Sequence, residues 1–198
     1  MKKHLIVYLH GFQSSPFSFK AQLVKDELRK RAADVDCFCP QLPLSPEEAV
    51  EQVSEKIRAL GSDSIAVIGS SLGGYYASWL AEQYGCRAVL LNPVVDPWKI
   101  KILDDMPDRS ELKVREWLDF REKYAAEINR LKVLRITRPE RYLLLAATGD
   151  ELLDWRLMQS HYAGARQIII EGGDHGLSGF GAYVETVLAF CGIGTKTD

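Results

Sequence analysis

Apolar residues along this chain fall into two patterns. Short, nearly unbroken runs such as "LIVYL", "IAVIG", "LLLAA" and "QIII" are separated by longer stretches in which apolar positions recur every three or four residues. Unbroken runs of four to six suit strands covered on both faces, as in a parallel sheet, and the periodic stretches suit helices that cross between them. The runs predict strands at His4–Leu9, Val35–Cys39, Ser64–Gly69, Ala88–Leu91, Tyr142–Ala147 and Gln167–Glu171. Helical patterns follow: "SFKAQLVKDELRKRA", "SPEEAVEQVSEKIRALG", "LGGYYASWLAEQYG", "DWRLMQSHYAGA" and "FGAYVETVLAFCG". The second carries clear end signals, with Ser45 as N-cap, Pro46 in the first turn, Glu48 completing a capping box and Gly61 closing the helix. Regular alternation of strand and helix predicts an α/β architecture, an open and mostly parallel sheet of about six strands with helices on both faces.

One interval breaks the rhythm. Between Asn92 and Arg141 there is more chain than a crossover needs, and Trp117, Phe120, Tyr124, Ile128 and Leu131 recur at helical spacing within it. The expected reading is a cap or lid inserted after the fourth strand, at about 94–139. The alternative is a long surface excursion, or a crossover helix with a ragged approach.

Composition narrows the function classes. At 198 residues, with 46% hydrophobic and 26% charged, the chain is expected to form a single domain over 1–198. A net charge of −2 gives no reason to expect nucleic acid or an anionic membrane surface as partner. In "MKKHLIVYLHG" two lysines precede an apolar run, but it is too short for a signal peptide and reads as the first strand. No stretch reaches membrane-spanning length. Cys37, Cys39, Cys86 and Cys191 fit no metal or disulfide spacing, so they read as reduced thiols and favour the cytoplasm.

The chemistry centres on "AVIGSSLGGYYASW", Ala66–Trp79. A serine nucleophile on a strand-to-helix elbow needs small residues two before and two after it, where neighbouring backbone comes too close for side chains. Ser71 lies between Gly69 and Gly73 and fits; Ser70, between Ile68 and Leu72, does not. A serine needs a base, and the base needs a group that holds its tautomer. In a parallel sheet these gather at the carboxyl ends of the strands. Of four histidines only His175, in "IIIEGGDHGLSGF", follows a late strand. Asp150, in "YLLLAATGDELLD", is the first carboxylate after the fifth strand. Asp96, after the fourth strand, competes with it, as do the neighbours Glu151, Asp154 and Asp174; Asp154 also looks like a helix N-cap. The order Ser71, Asp150, His175 is that of α/β-hydrolases. The oxyanion is expected to meet the amides of Leu72 and Phe12, with Gln13 as the fallback, while His10 pins the loop after the first strand. Trp98, Trp117, Phe12 and Gln13 are candidates to line a substrate pocket, core packing being equally open to the tryptophans. Lys99, Lys101, Arg109, Lys113, Arg115, Arg121 and Lys123 offer charge to a phosphate-bearing leaving group, but read more simply as a solvated face.

Together, "YLHGFQSSPFSFKA", "PQLPLSPEEAV", "IGSSLGGYYASWLAEQYG", "NPVVDP", "TGDELLDWR" and "IIIEGGDHGLSGF" resemble the small bacterial YqiA-like esterases of the α/β-hydrolase superfamily. The resemblance is weakest through about Lys99–Pro139. It implies an α/β-hydrolase fold with Ser71 as nucleophile, His175 as base and Asp150 as acid, acting on short acyl esters or acyl-CoA thioesters. Relatives can carry "GGNH" where this chain has "GGDH"; a charge at Asp174 near the ring would favour imidazolium and raise the pH at which activity begins. The expected activity is therefore a serine esterase that needs no metal or organic cofactor and whose partner is a small-molecule ester or thioester. A lactonase, a perhydrolase, a lyase or a non-catalytic binding protein on the same fold are the alternatives.

Overall fold

The computed structural model describes residues 4–31, 35–60, 65–97 and 111–194. Six strands, β1 (His4–Leu9), β2 (Val35–Phe38), β3 (Ile65–Ser70), β4 (Arg87–Leu91), β5 (Tyr142–Ala147) and β6 (Arg166–Ile170), form one sheet in the order β2-β1-β3-β4-β5-β6. All five pairings are parallel. The expected strands are present, with boundaries moved by a residue or so.

Helices α1 (Phe19–Arg31), α2 (Pro46–Leu60), α3 (Leu72–Tyr84), α4 (Glu111–Arg130), α5 (Trp155–His161) and α6 (Val184–Phe190) complete the layers. Successive strand residues point to opposite faces, so each apolar run feeds two cores. Leu5, Val7, Leu9, Val67, Leu90 and Leu144 pack with residues of α2, α3, α4 and α5. Ile6, Tyr8, Ile68, Leu91, Leu143 and Leu145 pack with α1 and α6. The lack of polar alternation in the sequence is thus the mark of a sheet that is dry on both sides.

The helix ends follow the local chemistry. Ser45 Oγ accepts from the Glu48 amide at 3.2 Å ahead of α2, Gly85 ends α3 at φ 67°, and Asp154 caps α5 by accepting from the Arg156 amide at 2.9 Å.

The expected cap at 94–139 includes 98–110, which lie outside the described residues. Of the remainder, the second half of α4 is core. Tyr124, Ile128 and Leu131 are buried against α2 and α3, and Tyr75 Oη donates to the Ile128 carbonyl at 2.8 Å. Glu127, 2% exposed, accepts from Ser45 Oγ at 2.6 Å. Its carboxylate therefore sits at the N-terminus of α2, where the helix dipole favours negative charge. These contacts make that half of α4 an anchored crossover between β4 and β5.

The sheet order reverses between β1 and β3: the chain leaves β1 for β2 on one side, then returns across it to β3 and continues to β6 on the other. A crevice at the carboxyl ends of the two central strands is the usual place for a ligand in such a sheet. Registers Leu9↔Gly69, Ser70↔Leu91, Leu91↔Leu145 and Ala147↔Ile170 bring these ends to a common edge.

Candidate active site

Ser71 follows β3 directly, at φ 55° and ψ −120°. A positive φ costs a non-glycine residue roughly 1–3 kcal/mol, so the turn persists only because its surroundings fix it. The Ser71 amide donates to the Leu91 carbonyl at 3.0 Å, and its own carbonyl accepts from Gly74 at 2.9 Å and Val94 at 3.1 Å. The flanking glycines have a steric cause. A Cβ on Gly69 would lie 2.2 Å from the Gly73 carbonyl oxygen, and one on Gly73 would lie 2.2 Å from that of Leu9. Ser70, the other serine, ends β3 and is buried.

The Ser71 hydroxyl faces the His175 ring, with Oγ 3.0 Å from Nε2. On the other side of the ring, Nδ1 lies 2.8 Å from Asp150 Oδ2 and 3.0 Å from Oδ1. The Asp150 side chain is fully buried and that of His175 is 17% exposed. Asp150 Oδ1 also accepts from the amides of Leu152 at 2.9 Å and Leu153 at 2.8 Å, which fixes the carboxylate before the imidazole reaches it.

The competing acids lie elsewhere. Asp154 caps α5, and Asp96 lines a cavity described below. Glu151 touches the histidine through backbone, its Oε2 accepting the His175 amide at 2.9 Å. The Asp174 carboxylate turns to Ser178, accepting from its hydroxyl at 2.5 Å and its amide at 3.1 Å. Those bonds, chiefly the hydroxyl's, hold its pKa below the usual carboxylate range. Its charge, expected beside the imidazole, is engaged by its own loop.

The loop after β1 supplies the opposite wall. His10 Nε2 accepts from the Leu42 amide at 3.2 Å, which leaves the proton on Nδ1 to donate to the Gly11 carbonyl at 2.9 Å. His10 thus ties this loop to the segment after β2. Gly11 packs against the elbow, where an added Cβ would sit 3.3 Å from that of Ser71. Phe12 packs against the core, and Gln13 is exposed at φ 52°. Among the described residues neither the Phe12 nor the Leu72 amide donates a hydrogen bond, so both donors are free. Trp98 lies outside the described residues.

A cavity of about 240 Å³ adjoins the acid turn, lined by Pro93, Val95, Leu152, Leu153, Leu157 and Met158, with Asp96 and Asp154 among its walls. Among the described residues no group of three His, Cys, Asp or Glu side chains is arranged to hold a metal, and no helix is long and apolar enough to cross a membrane.

Two residues of the site escape a reading of the sequence. Asn92, directly after β4 and 0% exposed, donates from Nδ2 to the carbonyls of Asp174 at 3.0 Å and His175 at 3.1 Å, and accepts the Ala147 amide at 2.9 Å. Lys20, on α1, donates to the Gly176 carbonyl at 2.5 Å. Burial pushes its pKa down to about 8, against the pull of Asp174 and Asp150. A polar residue closing an unbroken apolar run was the available signal for Asn92; Lys20 looks like any other helix-surface lysine.

A central parallel sheet with a serine elbow at its switch point defines the α/β-hydrolase fold, and solved structures agree. Alpha/beta hydrolase domain-containing protein 10 from mouse superposes with a TM-score of 0.70 at 13% identity, covering 96% of this chain and 91% of its own. Est1E from Butyrivibrio proteoclasticus, solved with ferulic acid bound, gives 0.68 at 13% identity, covering 95% and 89%. By sequence, the model of an uncharacterised protein family, UPF0227, matches residues 5–192, and the chain belongs to that family. A UPF0227 protein of Yersinia enterocolitica is 28% identical over 155 residues, 76% of this chain and 77% of that protein.

Proposed function

We propose that the protein is a serine hydrolase that cleaves carboxylic acyl esters through an acyl-enzyme. One observation carries the reading: the unbroken chain from Ser71 Oγ through the His175 ring to the buried Asp150 carboxylate, at 3.0 Å and 2.8 Å. Asp150 holds the Nδ1–H tautomer, so Nε2 is free to take the serine proton as Oγ attacks the acyl carbonyl. The amides of Phe12 and Leu72, the latter opening α3, donate to the developing oxyanion. Imidazolium then protonates the leaving alkoxide, and water attacks the acyl-enzyme with His175 as base again.

The cavity beside the acid turn supports a small, uncharged group, its aliphatic lining matching an acyl or alcohol substituent. The hydrolase and esterase names of the structural neighbours agree with this reading. The unpaired cysteines support a reducing, cytoplasmic setting.

The test is turnover of p-nitrophenyl esters of graded acyl length beside acyl-CoA thioesters, with Ser71→Ala as blank. The expected result is hydrolysis of short uncharged esters that falls by about 10⁴-fold or more in the variant. Equal rates in both proteins would refute the assignment, and faster turnover of acyl-CoA would make it a thioesterase.

A further inference from the structure

We propose that Asn92 is the positioning residue that aims His175, an inference that rests on the hydrolase reading above. The histidine sits in a glycine-rich loop: Gly172 and Gly173 precede it at φ 68° and 75°, Gly176 follows it, and a turn bond from the Leu177 amide to the Asp174 carbonyl at 3.1 Å spans it. Such a loop has many conformations to lose. From outside the loop, the side chains of three residues tether its backbone. Glu151 accepts the His175 amide and Lys20 donates to the Gly176 carbonyl. Asn92 holds the carbonyls of residues 174 and 175, and it alone of the three is fully buried.

Those carbonyls belong to the two peptide planes on either side of the His175 Cα. One amide nitrogen bonded to both fixes the φ and ψ of that residue, and so the direction in which its side chain leaves the backbone. The same side chain accepts the Ala147 amide, three residues before Asp150, so base and acid are referred to a single fixed point at the end of β4. The task needs one acceptor and two donors at the tip of a short side chain, which a primary amide supplies. It also needs a backbone at φ 42°, which asparagine tolerates better than most residues. The Asn92 amide closes the arrangement by donating to the Leu145 carbonyl at 2.9 Å.

The experiment uses two variants that leave the backbone acceptable. Asn92→Asp keeps an oxygen for Ala147 but turns a second oxygen onto two carbonyls. Asn92→Gly keeps φ and removes the side chain. Both are expected to fold cooperatively and to lower kcat about 30- to 100-fold, the scale of a misplaced catalytic group, with KM changed less than threefold. A low-field proton resonance of the His175 Nδ1–H is expected in wild type and is expected to vanish or broaden in both variants. Folded variants with kcat within twofold of wild type and an intact resonance would overturn the proposal, as would parallel losses in kcat and KM with the resonance intact. If wild type itself hydrolyses no ester, the hydrolase reading fails, and the resonance alone decides: its loss in the variants supports the role of Asn92, its persistence overturns it.

Discussion

Replacing Asp150 by asparagine changes one atom, and the surroundings dictate how the new amide must lie. In the wild-type site Oδ1 accepts two backbone amides, Leu152 at 2.9 Å and Leu153 at 2.8 Å, and lies 3.0 Å from Nδ1, while Oδ2 makes the closer approach to Nδ1 at 2.8 Å. An asparagine oxygen therefore stays with the two amides. The reverse orientation would strand both N–H groups against an NH₂, at about 1–3 kcal/mol each. With the oxygen so placed, NH₂ faces Nδ1, and the ring responds by moving its proton to Nε2. Nε2–H then points at Ser71 Oγ and cannot take a proton from it. Tautomer inversion of this kind lowers kcat by about 10⁴-fold in serine proteases, which is about 5 kcal/mol of transition-state stabilisation. The assay is hydrolysis of a short p-nitrophenyl ester, with a thermal melt to show that Asp150→Asn is folded. A loss smaller than tenfold in a protein that melts like wild type would refute the reasoning, since it would mean that the carboxylate does not set the tautomer.

Other sites give separate tests. Gly73→Ala would place a Cβ 2.2 Å from the Leu9 carbonyl oxygen and 2.7 Å from that of His10; a fall in melting temperature of several degrees with loss of esterase activity is expected, and a variant with unchanged melting and turnover would contradict the packing at the elbow. Lys20 has a folded pKa lowered to about 8 by burial, so the cost of burying its charge is fully present below pH 8 and is relieved as pH rises toward the unfolded value of about 10.4. Denaturant melts of wild type and Lys20→Met are thus expected to shift in favour of wild type between pH 7 and pH 10, and a difference independent of pH would exclude the buried charge.

The sequence exposes the parts of this site that depend on local backbone. Ser71 is legible because its elbow forces glycine at 69 and 73, and Ser45 and Asp154 are legible because a helix end needs a short acceptor. The strands are legible because two dry faces leave no room for polar residues. Relations made by tertiary contact are harder to read. Asn92 resembles a turn residue until the loop carrying His175, 83 residues on in the chain, is placed above it. Asp174 stands next to His175 in sequence, and its charge invites an electrostatic role there, yet the turn sends its carboxylate to Ser178 four residues on. In α4, Trp117 to Leu131 show a helical period that fits a lid or a crossover equally well; the burial of Glu127 against the start of α2 is what distinguishes its second half, and no pattern within α4 encodes that partner.

In the proposed mechanism Ser71 is a nucleophile made reactive by the chain of groups behind it. Incubation with a fluorophosphonate, followed by mass spectrometry of the digested protein, measures this most directly. One stoichiometric adduct is expected, on the peptide carrying Ser71, absent from Ser71→Ala. An adduct on another serine, or equal labelling of both proteins, would contradict it.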